Sequence, residues 1–132
     1  MKDYRKYFII SAKPDEIYAA LTHEPTVELW TGAKASIKAE PGAEFSMWDD
    51  SIVGKFIELI PGSKIVQQWY FGEEETESPS LVTIKLHAHK NGTSLEIRHT
   101  NIPDDDYDNI TDGWENLYMA ELIDFYEEDQ HA

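Results

Sequence analysis

GAEFSMWDDSIVGKFIELIPGSKIVQQWYF, Gly42 to Phe71, holds three apolar runs: Ala43–Trp48, Ile52–Ile60 and Lys64–Phe71. Asp49-Asp50-Ser51 and Pro61-Gly62-Ser63 separate them, and both triplets are rich in turn formers. Short apolar runs with this punctuation read as consecutive antiparallel strands, a β-meander. The last run alternates: Ile65, Gln67, Trp69 and Phe71 share one face, and Lys64, Val66, Gln68 and Tyr70 the other. A sheet with one wide apolar face has to be covered, and the rest of the chain supplies the cover.

Working outward, Tyr4–Ile10 reads as a first strand, with Tyr4, Lys6, Phe8 and Ile10 on one face and Arg5, Tyr7 and Ile9 on the other. Pro14, Asp15 and Glu16 open a short helix, because proline suits the first turn and acids suit its positive end. Ile17, Ala20 and Leu21 give it a buried stripe. A second short helix from about Glu24 to Trp30 presents Val27 and Trp30 and ends at Thr31-Gly32. A weak strand follows from about Lys34 to Ala39. Beyond the meander, Glu73–Ser80 is a polar loop, and Leu81–His89 and Thr93–Asn101 form a hairpin about Asn91-Gly92. Its alternation puts Leu95, Ile97 and His99 on the buried side.

A long helix lies within Asp105 to Glu128. At helical spacing Ile110, Trp114, Leu117, Tyr118, Leu122 and Phe125 share a stripe, with Glu121 at its centre. Gly113 costs about 1 kcal/mol relative to alanine inside a helix. Its expected use is close approach of the helix to the sheet, so that Gly113→Val damages folding more than Gly72→Val does.

Composition bounds the function. With 132 residues the chain is expected to form one domain, 1–132, large enough for a core. No apolar run approaches the roughly 20 residues of a membrane span, and no signal-peptide pattern opens the chain. The absence of cysteine removes disulfides and thiolate chemistry. A soluble cytoplasmic protein, monomeric or weakly dimeric, is the expectation. The formal net charge of −15, 26 acids against 11 Lys and Arg without a basic run, disfavours nucleic acid and anionic membrane as partners. The acidic runs at Glu73–Glu77, Asp104–Asp106 and Glu127–Asp129 lack the alternation of a calcium loop and read as solvated surface.

The order Gly-x-x-Phe-x-x-Trp-Asp-x-x-Ile-x-Gly … Pro … Ile-Val-x-x-Trp is carried by Gly42, Phe45, Trp48, Asp49, Ile52, Gly54, Pro61, Ile65, Val66 and Trp69. It resembles the domain named after the ATPase activator of the ninety-kilodalton heat-shock chaperone, within the START-like (SRPBCC) superfamily. Pro14, Ile17, Leu21 and Trp30 near the start, and Gly113-Trp114 near the end, extend the resemblance over nearly the whole chain. It implies an α+β helix-grip fold: a curved antiparallel sheet wrapped around a long C-terminal helix, with two short helices after the first strand. It also implies a cavity between helix and sheet, which this superfamily uses for lipids, sterols or aromatic polyketides.

The first functional expectation is therefore a non-catalytic module binding a small hydrophobic or amphipathic molecule. The alternative implied by the resemblance is interaction with a chaperone and stimulation of its ATPase. A third reading is a cyclase- or hydrolase-like enzyme using Glu121 with His99 as cavity acid and base. The candidate cavity residues are Trp30, Trp48, Gln67, Trp69, His99, Trp114, Tyr118 and Glu121. The tryptophans and Tyr118 supply walls, while Gln67, His99 and Glu121 supply polar handles, Glu121 orienting the ligand. No serine-hydrolase elbow, phosphate-binding loop or zinc-protease motif is present, so no catalytic residue, metal site or cofactor is assigned. His87 and His89 share the solvent face of their strand.

Overall fold

The computed structural model describes residues 1–71 and 79–131, with side chains as far as Glu127. Gly72 and the acids of the Glu73–Ser80 loop lie outside the described residues. Six strands form one antiparallel sheet: β1 Lys2–Ile10, β2 Glu44–Met47, β3 Ile52–Ile60, β4 Lys64–Trp69, β5 Ser80–His89 and β6 Gly92–Ile102. The spatial order is β1-β6-β5-β4-β3-β2, so β2 to β6 are successive meander neighbours and β1 closes onto β6. The short helices α1 Pro14–Thr22 and α2 Glu24–Thr31 follow β1. At the C-terminus a 3₁₀ turn (Asp104–Asp106) leads into α3 Tyr107–Gly113 and, after one π turn (Trp114–Tyr118), into α4 Met119–His131. This is the helix-grip architecture.

Alternation along the strands builds the core. Ile10, Phe45, Met47, Phe56, Ile65, Trp69, Val82, Ile84, Leu86, Leu95 and Ile97 are buried on the inner face. Ile17, Ala20, Leu21, Val27 and Trp30 close it from the short helices. Gly54 is fixed by close approach: a Cβ there would collide with the carbonyl of Gln68 and press on the ring of Phe45. The expected strand at Lys34–Ala39 reduces to one bridge, Ser36 to Ser46. Trp48, read as the end of a strand, instead starts the β2–β3 turn.

The long helix departs from its simple periodicity. The N–H of Met119 reaches back five residues to the carbonyl of Trp114, the bond of a π turn. One extra residue in a turn rotates everything after it by about 100°. Trp114, Tyr118, Met119, Leu122 and Tyr126 are buried, while Glu121 is exposed and Leu117 is 46 % exposed. Glu121 therefore does not face the sheet. Its expected place at the centre of the apolar stripe, as a polar handle in the cavity, is overturned because the π turn breaks the 100° period on which that stripe rests.

Gly113 also departs from its expected close approach to the sheet. A Cβ added there would meet nothing within 4 Å. The glycine opens space beside the helix instead of admitting the sheet.

Candidate functional site

Rings occupy the junction of helix and sheet. Trp69 of β4 stacks on Trp114 at 4.9 Å between centroids, with planes 25° apart. Trp114 meets Tyr118 at 4.6 Å, and Tyr118 meets both Trp48 and Trp30 at 5.4 Å. Trp30 and Trp48 make an edge-to-face pair at 5.5 Å. Burial raises the Tyr118 phenol above its ordinary pKa.

Behind the rings lies a polar seam. The indole N–H of Trp114 donates to Nδ1 of His99 at 3.0 Å, and Nε2 of His99 lies 2.5 Å from the Ser80 hydroxyl. Trp69 donates its indole N–H to Oε1 of Gln67 at 2.9 Å. Trp30 donates to the carbonyl of Ala20 at 2.7 Å. His99 is fully buried, and burial lowers its pKa from 6.5 to about 4, against a small opposing pull from Asp3. Indole can only donate, so Nδ1 must carry a lone pair, and the neutral ring has its proton on Nε2. Nε2 then donates to Ser80. A general base for serine needs its lone pair on that nitrogen, so Ser80 and His99 are not arranged as nucleophile and base.

On the solvent side of the rings an open groove of about 210 Å³ runs between the helix and the β2–β3 turn. Trp48, Trp69, Trp114 and Tyr118 form its walls, Ile52 and Ile110 its flanks, and Leu117 its exposed lip; Gly113 leaves its helical side bare. The turn that presents Trp48 is strained. Trp48, Asp49 and Asp50 have φ of 50°, 53° and 68°, consecutive left-handed residues without a glycine. Asp tolerates this conformation, whereas Trp does so at a cost of about 1–2 kcal/mol. The packing of Trp48 between Trp30 and Tyr118 offsets that cost, as does the hydrogen bond from the Asp49 N–H to the Lys34 carbonyl at 3.1 Å.

Of the expected cavity residues, the structure brings Trp48, Trp69, Trp114 and Tyr118 together as groove wall. Trp30 buttresses them, Gln67 and His99 sit beneath as hydrogen-bond partners, and Glu121 is elsewhere. Ile110 and Leu117, apolar at helical spacing and so expected in the core, line the groove instead, as does Gly113. Among the described residues no cluster of acids and histidines fits a metal ion, and no helix is long and apolar enough to cross a membrane.

The family described as "Activator of Hsp90 ATPase homolog 1-like protein" matches residues 11–126. The chain belongs to that family. Among relatives, the human "Activator of 90 kDa heat shock protein ATPase homolog 1" is 30 % identical over 107 residues, covering 80 % of this chain and 31 % of that protein. The Dictyostelium discoideum homolog is 32 % identical over 110 residues, covering 83 % of this chain and 29 % of its own length. This activator-family chain thus spans 29–34 % of the length of the curated relatives it matches. Among solved structures, an HSP90 activator from Plasmodium falciparum superposes with a TM-score of 0.82 at 24 % identity, covering 92 % of this chain and 94 % of that one. The Aha1 dimer from Colwellia psychrerythraea gives 0.81 at 21 % identity, covering 96 % and 97 %. At these identities the structures establish the fold alone. The activator family's fold is built here around a groove of three indoles and a phenol.

Proposed function

We propose that this domain is a non-catalytic binding module that docks on a chaperone of the Hsp90 class through the aromatic groove. The observation that carries the reading is the size and lining of the groove. At about 210 Å³ it is smaller than the roughly 300–1,000 Å³ typical of sites for drug-sized ligands. It suits a single apolar side chain entering from a partner, an anchor residue in a desolvated pocket. Leu117, exposed on the lip, extends the apolar contact beyond the pocket. The identity to proteins named as activators of the chaperone's ATPase supports the choice of partner.

A second reading keeps the same groove for a free small amphipathic molecule. It is favoured by walls that combine flat indole faces with the Tyr118 ring.

The test is affinity of the full chain for a purified Hsp90 chaperone, with Leu117→Asp and Ile110→Asp as groove variants and Glu121→Gln as a surface control. The expected result is binding by wild type and Glu121→Gln, and at least about tenfold weaker binding by the groove variants. Equal affinity across all four proteins at unchanged thermal midpoints would overturn the groove as the docking site.

A further inference from the structure

The outer face of the sheet, opposite the groove, gathers four cations of this acidic chain. Arg5 of β1, Arg98 of β6, Lys85 of β5 and Lys64 of β4 ring a depression of about 280 Å³, completed by Val66, Thr83 and Glu96. No basic run in the sequence announces them, because each comes from a different strand and only the register unites them. Arg5 stands directly opposite Arg98, and Lys64 directly opposite Lys85. Like charges opposed across a ladder are destabilising. The chain has 11 Lys and Arg against 26 acids, so ample acids were at hand to alternate with these cations.

The acids at the depression are already committed. Glu96, almost buried, accepts from Nε of Arg5 at 2.7 Å, and Arg5 also donates from Nη2 to the Tyr7 hydroxyl at 2.6 Å. Glu96 thus orients the Arg5 guanidinium over the depression. Glu58 of β3, outside the lining, pairs with Lys64 at 3.5 Å. Arg98 and Lys85 are exposed, and neither makes an ion pair among the described residues, although Lys85 stands across the ladder from Glu96, whose carboxylate is held by Arg5.

We propose that this depression binds a compact, multiply charged oxyanion, a phosphate or diphosphate group. Guanidinium forks match tetrahedral oxyanions bidentately, and the two ammonium groups add point charges from the other side. Thr83, also in the wall, is a residue type that can add a hydroxyl donor. Compactness follows from the surroundings. A nucleic acid or an anionic bilayer would press further phosphates against a chain of net charge −15, whereas a small anion keeps its charge inside the cationic ring. The site is independent of the chaperone reading, because Arg98 and Val66 point away from the face that carries His99 and Gln67.

The experiment is calorimetric titration of the full chain with pyrophosphate at low ionic strength. Saturable one-site binding is expected for wild type. Arg98→Ala and Lys85→Ala should each weaken it about tenfold. Lys34→Ala, which removes an exposed charge elsewhere, should change it less than about twofold. A nucleoside diphosphate forms the second arm. Equal affinity shows that the free anion suffices; tighter binding with the same loss on Arg98→Ala shows that the group is carried on a larger molecule. The proposal is overturned by absence of saturable binding. Equal losses from Arg98→Ala and Lys34→Ala, or retention of random duplex DNA through the same residues, would also overturn it.

Discussion

The indole of Trp114 donates to Nδ1 of a fully buried His99 at 3.0 Å, locking the helix to the sheet through one neutral imidazole. That bond requires an unprotonated nitrogen, so the helix contact is sensitive to acid.

A pH dependence follows. His99 in the folded state titrates near 4, below its ordinary 6.5, so the unfolded chain takes up the proton first as pH falls. The contribution of this residue is whole above about pH 6.5 and is lost progressively toward pH 4, amounting to roughly 3 kcal/mol. Urea unfolding at intervals between pH 7.5 and 4 should show this decline, and His99→Gln should flatten it. The His99 ring signals in NMR should still report the neutral form at pH 5. Trp114→Phe removes the donor that favours the neutral ring and should move the His99 midpoint upward.

Gly113 is expected to be improvable. Its backbone is helical and a Cβ meets nothing, so Gly113→Ala should raise stability by about 1 kcal/mol. Gly113→Leu should fold and fill the groove, which a chaperone-binding assay would register as lost affinity. A lowered thermal midpoint for Gly113→Ala would contradict the open space beside the helix.

Gly54 behaves oppositely. Its missing Cβ is occupied by the Gln68 carbonyl and the Phe45 ring, so Gly54→Ala should destabilise by about 1–3 kcal/mol or more. Chemical denaturation of the two alanine variants side by side would show shifts of opposite sign.

Glu121 should be silent. Exposed on the far side of the helix, it can become Gln or Leu with a change within about 0.5 kcal/mol. A large stabilisation on Glu121→Leu would restore the buried carboxylate that the π turn removes.

The strands were legible because their period is two and their turns carry Gly, Pro and Asp; the paired burial of Gln67 and Trp69, and of Ile97 and His99, follows from that alternation. The short helices were legible from Pro14 and from their apolar spacing. The helix face beyond Trp114 was not, because a π turn leaves no composition signature and shifts the phase of all that follows. Left-handed Trp48 was equally hidden: its conformation is imposed by the ring cluster it joins, a tertiary effect. The basic depression was invisible for a third reason. Cross-strand register, not sequence proximity, places Arg5 beside Arg98.

Docking through the groove of Trp48, Trp69, Trp114 and Tyr118, as proposed, would bring a chaperone partner against three of the four indoles. The indole N–H signals of the four tryptophans in a proton–nitrogen NMR spectrum test it directly, since Trp48, Trp69 and Trp114 line the groove and Trp30 lies behind it. Titration with an Hsp90 chaperone should perturb the signals of Trp48, Trp69 and Trp114 first, leave that of Trp30 least affected, and produce no such change in Gly113→Leu. Binding that leaves all four signals in place while moving amides elsewhere on the sheet would contradict docking at the groove.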